Sequence, residues 1–214
     1  MTRASSSAAA VLAMMLFLPA AVHAQAQPFS IRAFGDAGLT VFSATQSFKA
    51  ILGRPSGTVF GGGLEVGLPK QLFVSVAASR FRRTGHRVFV FEGQVFELDD
   101  PATITVTPLE VSAGYRFTQA RVIVPYAGGG IGWHKYEETS AHSTDADDVH
   151  TTFRGYQVLG GAEVPLGGWL AVAAEGQFAS VPNALGANST GVASVYNEHN
   201  LGGFTVRVKV VVGR

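Results

Sequence analysis

Nine consecutive residues constrain the fold of this chain more than any other feature. In Leu109-Glu110-Val111-Ser112-Ala113-Gly114-Tyr115-Arg116-Phe117 every odd position is apolar or aromatic, and the even positions are Glu, Ser, Gly and Arg. A strand turns successive side chains to opposite faces, so this spacing sorts the two kinds of residue; a helix would scatter the charges around its circumference. The pattern recurs along the chain. Phe204, Val206, Val208, Val210 and Val212 alternate with Thr205, Arg207, Lys209 and Val211, and Leu64, Val66 and Leu68 alternate with Gly63, Glu65 and Gly67. Tyr156, Val158, Ala162 and Val164 oppose Gln157, Gly161 and Glu163; Leu170, Val172, Ala174 and Phe178 oppose Ala171, Ala173, Glu175 and Gln177. Ile31, Ala33, Ala37, Leu39 and Val41 oppose Arg32, Asp36 and Thr40. Residues 72–83 and 122–136 are less regular, the second being centred on Gly128-Gly129-Gly130, where glycine relieves crowding in a narrow, curved sheet.

The connections come in two lengths that alternate. Residues 68–71, 117–121 and 165–168 are short, whereas Ser43–Gly57, Gly85–Pro101, Glu137–Thr151 and Pro182–Glu198 read as long polar loops. About eight strands, three tight turns and four long loops follow. The expected fold is all-β, a closed antiparallel up-and-down barrel.

The N-terminus has a different character. Arg3 precedes an uncharged apolar run, Ala8 to Ala21, and Val22-His23-Ala24 then offers small or apolar residues to a peptidase. This is the layout of a secretory signal cleaved after Ala24. Taking residues 1–24 from 214 leaves 190, the length of one domain, residues 25–214. Taking Arg3 from 16 basic residues leaves 15 against 15 acidic ones, with no long basic run, so nucleic acid is not an expected partner. The chain has no Cys, which excludes a disulfide framework and a thiolate metal site.

Hydrophobic residues make up 47% of the chain and charged ones 14%, well below the roughly 25% of a soluble domain. Low charge without a long apolar helix is the composition of a transmembrane barrel, whose lipid-facing and lumen-facing residues alternate. In hydrocarbon an open sheet edge has no water to bond, so the sheet must close. About eight strands enclose a space just wide enough for side chains. The inward set then contains Arg32, Glu65, Glu110, Arg116, Glu163, Glu175, Arg207 and Lys209: four acids that can pair with four bases and fill the lumen. A one-residue slip would turn them into lipid, where an Arg or Lys at the midplane costs roughly 2–4 kcal/mol. A soluble barrel would carry the opposite polarity, apolar within.

Glu110-Val111-Ser112-Ala113-Gly114-Tyr115-Arg116-Phe117, Val124-Pro125-Tyr126-Ala127-Gly128-Gly129-Gly130-Ile131-Gly132, and Gly202-Gly203-Phe204 with the valines after it resemble the small outer-membrane β-barrels of the OmpA/OmpX/OmpW-like superfamily. The resemblance runs through nearly all of residues 28–214. It implies export to the outer membrane, insertion by the barrel-assembly machinery, contact with outer-membrane lipid and lipopolysaccharide, and a monomer. The structural, adhesive or small-ligand-binding and transport roles of that group follow as expectations. Such barrels usually end on an aromatic residue; here the last residues are Val211-Val212-Gly213-Arg214.

Some small outer-membrane barrels are lipid A-modifying hydrolases or acyltransferases that use Ser, His and an acid near the outer rim, which is the alternative to a non-enzymatic role. His134, His86 and His199 and Ser79 and Ser180 fall near strand ends. Nucleophilic catalysis requires a base bonded to the hydroxyl and a third group orienting the base, and no local signature here encodes that arrangement. The acidic 137–150 stretch lacks the spacing of an EF-hand loop and reads as a solvated surface loop. No cofactor or metal is expected. Arg80, Arg82, Arg83 and Arg87 form the main basic cluster and are candidates for contact with lipopolysaccharide phosphates.

Overall fold

The computed structural model describes residues 29–118, 122–140, 149–186 and 191–213. The leader expected over residues 1–24 and most of the acidic 137–150 stretch lie outside the described residues. Eight strands follow one another: β1 (Ser30–Phe42), β2 (Ser56–Gly67), β3 (Leu72–Phe91), β4 (Gln94–Arg116), β5 (Val124–Ser140), β6 (Val149–Pro165), β7 (Leu170–Ser180) and β8 (Gly203–Gly213). Each pairs antiparallel with the next, and β1 pairs with β8, so the sheet closes. Among the described residues, no helix is long and apolar enough to cross a membrane.

The alternation dictates the two faces. On β8, Arg207 and Val211 are buried in the lumen while Phe204, Val206, Val208, Val210 and Val212 stand exposed on the outside. On β7, Ala171, Ala173, Glu175 and Gln177 face inward. Leu39, Phe60, Leu64, Ile131, Tyr156 and Val158 continue the exposed apolar surface around the barrel. Apolar side chains covering the outside and charged ones turned inward along the barrel wall reverse the polarity of a soluble barrel.

All four connections expected as long polar loops carry some regular structure, residues 137–140 and 149–151 being strand. Residues 85–91 and 94–101 are strand: β3 and β4 run on past the barrel wall as a two-stranded hairpin, in register from Val88↔Glu97 to Phe91↔Gln94, after an irregularity between His86 and Val88. The turn is Glu92-Gly93, with φ of 49° and 75°. Both residues having positive φ marks a two-residue turn whose twist matches its strands, and Gly93 supplies the second without strain. The apolar run Val88-Phe89-Val90-Phe91 before that dipeptide was the available signal.

The connection between β1 and β2 holds a helix, α1 (Thr45–Leu52), folded back into the barrel mouth. Phe48 and Leu52 are buried there. The helix lies against β3 at Gly85, where a Cβ would come 1.9 Å from the Ile51 carbonyl oxygen; only glycine permits that approach. The β7–β8 connection contributes a short helix, α2 (Val192–Val195), beside it. Phe42, Phe48, Phe81, Ile104, Tyr136 and Leu201 with their neighbours form the largest apolar cluster, and it fills the long-loop end of the lumen. Phe42 stacks on Phe48 at 4.1 Å between ring centroids and meets Phe81 edge-on at 4.9 Å.

Candidate functional site

The short-turn end of the lumen is built from charges that four strands deliver to one level. Arg32 from β1 bonds Glu65 on the neighbouring strand and, through Nη1, Glu163 of β6 at 2.7 Å. Arg116 from β4 donates to Glu163 at 2.8 Å and to both oxygens of Glu65 at 2.7 Å. Two guanidiniums and two carboxylates thus close a ring across the bore, each base touching both acids. Arg116 lies 5.2 Å from the ring centroids of both Phe73 and Tyr126, so the ring is clamped by cation–π contacts too. Below it a vestibule of about 290 Å³ opens toward the short turns.

A second charged level sits deeper. Glu175 accepts from Lys209 at 2.5 Å and from the Tyr126 hydroxyl at 3.0 Å, and lies 3.8 Å from Arg207 Nε. Lys209 also stands 4.6 Å from the Phe34 ring centroid. Arg207 Nη2 donates to Gln177 Oε1 at 2.8 Å, and Gln177 Nε2 donates in turn to Glu110 at 2.6 Å. Asp36 lies 4.0 Å from Arg207. The eight charges expected inside therefore all face the lumen, but their pairing differs from a simple set of four acid–base couples. Glu110 meets an amide where a base was expected, because Gln177 stands between it and Arg207. Asp36, Gln177 and Tyr126 were absent from that set. Asp36 and Gln177 were visible in the polar rows of β1 and β7; Tyr126, an inward aromatic, ran against the alternation.

The histidines and serines expected as candidate catalysts are not assembled into a triad among the described residues. His134 and Ser79 share the wall of a lumen cavity of about 50 Å³ with Glu110 and Arg207. The Nε2 of His134 has no hydrogen-bond partner among the described residues. Ser180 accepts from Asn200 at 3.1 Å, His199 bonds the Leu185 carbonyl and Asn197, and His86 lies 3.6 Å from Glu97 at the surface. No group of acids and histidines suited to a metal ion occurs among the described residues.

The arginine cluster is divided by strand parity. Arg80 and Arg82 point outward and are exposed, whereas Arg83 points into the mouth and donates to the Ser56 carbonyl at 3.2 Å. Arg87, past the irregularity in β3, lies 4.0 Å from Asp100 within the hairpin. The four arginines expected as one patch therefore do not act on one surface.

At the long-loop end the hairpin tip exposes Phe89, Phe91, Phe96 and Leu98, with Phe89 and Phe96 stacked at 5.3 Å. Among the described residues a cavity of about 450 Å³ opens beside α1, walled by Phe48, Ile51, Ile104, Phe153 and Leu185 with Glu138 at its edge.

Comparison with known proteins gives this architecture a family. No curated protein matches the sequence. Neisserial surface protein A is a structural neighbour with a TM-score of 0.52 at 15% identity, covering 87% of this chain and 97% of its own. A major outer membrane protein from Thermus thermophilus superposes with a TM-score of 0.57 at 10% identity, covering 88% of this chain and 100% of its own. These two likenesses show the fold. The N-terminal β-barrel domain of Pseudomonas aeruginosa OprF reaches a TM-score of 0.47 at 13% identity over 89% of this chain and 100% of that domain. Residues 8–207 match the family described as the outer membrane protein beta-barrel domain, and the chain belongs to that family of outer-membrane barrels.

Proposed function

We propose that this protein is a non-enzymatic, monomeric barrel that serves as a closed anchor in the outer membrane and acts through the structures it displays outside the cell. The observation that carries this reading is that the lumen is filled at both ends by different means. The ring of Arg32, Glu65, Arg116 and Glu163 spans it near the periplasmic turns, and the apolar cluster around α1 fills the extracellular mouth. An ion crossing would have to break buried ion pairs and then pass a desolvated aromatic layer. The exposed Phe89, Phe91, Phe96 and Leu98 at the hairpin tip favour an adhesive role, since contiguous apolar surface of this kind marks interaction sites.

The test has two arms. In planar bilayers the refolded protein gives no stable conductance step; an ohmic pore overturns the closed lumen. Cells carrying a version with residues 86–99 replaced by a two-residue turn adhere less to an apolar octyl-coated surface than cells carrying the full chain. Equal adherence overturns the adhesive role. The mouth cavity of about 450 Å³ supports a second reading, binding of a small apolar molecule beside α1. Retention of a homologous series of alkanols by the refolded protein in native mass spectrometry, lost in an Ile104→Glu variant, is the outcome expected of that reading.

A further inference from the structure

The extracellular mouth holds an acid without a base. On β5, Glu137 turns outward and bonds Lys135 at 2.8 Å, while the next residue, Glu138, turns inward beside Ile104 of β4. The Tyr136 hydroxyl donates to Glu138 Oε2 at 2.9 Å, and no Lys, Arg or His pairs with this carboxylate among the described residues. Its charge is left unanswered at the edge of the cavity of about 450 Å³ beside α1.

The walls of that cavity come from three separate parts of the chain. Tyr136 is beside Thr151, and Phe153 is two residues further along β6 on the same inner face. Diagonal neighbours of this kind are within reach of aromatic side chains. Phe48 and Ile51 approach from α1, and Leu185 and Val192 come from the β7–β8 connection. No Lys, Arg or His stands on these walls among the described residues. The cavity is thus aromatic and apolar around a single acid, at a size usual for a small-molecule site.

Charge and wall chemistry select the ligand. A hard metal ion needs several oxygen ligands, and Glu138 supplies one carboxylate. An anion would meet Glu138 with no base to balance it. A neutral apolar molecule would cover the walls and leave the carboxylate unpaired. A large, weakly hydrated organic cation answers both features: aromatic rings attract it through their quadrupoles, and the acid neutralises it. Alkyl groups on the nitrogen suit a wall that is mostly hydrocarbon better than N–H groups, each of which would need an acceptor when buried.

We propose that the mouth cavity is a binding site for an organic cation, a quaternary ammonium whose head lies among Phe48, Tyr136 and Phe153 against Glu138 and whose alkyl chain lies along Ile51 and Ile104. This rests on the second reading above, that the cavity takes a small apolar molecule, and adds the charge and the head group that it selects. Tyr136 has two parts in the site: its ring borders the cation, and its hydroxyl fixes the carboxylate. The site is independent of the hairpin tip and of the periplasmic ring, since none of its residues lies in either.

The experiment uses the full mature chain refolded in neutral detergent and equilibrium dialysis, with uptake by empty micelles subtracted. Hexyltrimethylammonium, hexanol and heptanoate carry similar chains under a positive, a neutral and a negative head. The cation is bound about tenfold more tightly than hexanol, and heptanoate more weakly than either. Sodium chloride at the same concentration does not displace the cation. Glu138→Gln binds hexanol as the native chain does and loses the preference for the cation. Phe153→Leu keeps an apolar wall and lowers cation affinity severalfold with hexanol unchanged, which a surface charge alone would not produce. The gel shift between unheated and boiled samples reports that each variant is folded; should one not fold, the other variant and the comparison of the three ligands carry the test. Hexanol bound as tightly as the cation overturns the proposal and leaves the apolar reading standing, whereas binding of none of the three overturns both. Cation affinity unchanged in a folded variant, or lost to sodium, also overturns the proposal.

Discussion

Glu198, at the far end of the β7–β8 connection, holds the first turn of α1 in the barrel mouth through Ser47. Its Oε2 accepts from the Ser47 backbone N–H at 2.8 Å and from the Ser47 hydroxyl at 2.7 Å, while Oε1 accepts from the Gln46 N–H at 2.9 Å. The residue before the helix is Ala44, which has no side-chain cap to offer, so an acid 151 residues beyond Ser47 satisfies the free amides. A carboxylate at the positive end of a helix also gains from the helix dipole.

Glu198→Ala should therefore release α1 without unfolding the barrel. Loss of a charged cap costs about 1–2 kcal/mol locally. Hydrogen exchange is expected to rise in residues 45–52 and to stay slow in β1 and β8. Unchanged exchange in α1 would show that the apolar contacts of Phe48 and Leu52 hold the helix alone.

Gly85→Leu acts on the other side of the same helix. With the Ile51 carbonyl 1.9 Å from the site of a Cβ, the new side chain and α1 cannot both keep their places. The expected result is faster tryptic cleavage after Lys49 in intact cells, while the heat-dependent gel shift of the barrel persists. Protection of Lys49 at the native level would contradict the packing described.

The periplasmic ring predicts an order of stabilities. Arg116→Ala removes its hydrogen bonds to both acids together with its contacts to the Phe73 and Tyr126 rings. Glu65 and Glu163 are left sharing Arg32 alone, so the change should cost about 3–5 kcal/mol. Glu110→Ala removes the partner of an amide and should cost about 1–3 kcal/mol. Urea unfolding in lipid vesicles, followed by tryptophan fluorescence, measures both. A larger loss in Glu110→Ala than in Arg116→Ala would refute this assignment of partners.

Phe96→Ala is expected to loosen the hairpin only. The stacked pair with Phe89 contributes about 0.5–1.5 kcal/mol beyond its buried area. Residues 88–97 should exchange faster with no change in the urea midpoint of the barrel. A shifted midpoint would mean that the hairpin and the wall unfold as one unit.

The period of two, read residue by residue, determined the strands, their inner and outer faces and a closed sheet, because a strand leaves no choice about which side the next residue takes. That ground alone turns Arg32, Glu65, Glu110, Arg116, Glu163, Glu175, Arg207 and Lys209 inward. What the period does not carry is height along the barrel axis, and height decides partners. Arg32 and Glu163 are 131 residues apart and meet only because closure brings β1 and β6 to face each other across the bore. Gln177 intervenes between Glu110 and Arg207 for the same reason. Arg80 and Arg82 parted from Arg83 because neighbours in sequence alternate faces. The α1 plug was hidden in a segment that is polar on average: its burial comes from Gly85 on another strand and its cap from Glu198. Local alternation is a property of the chain, whereas these contacts exist only once eight strands have closed, and that is why the tertiary structure alone could decide them.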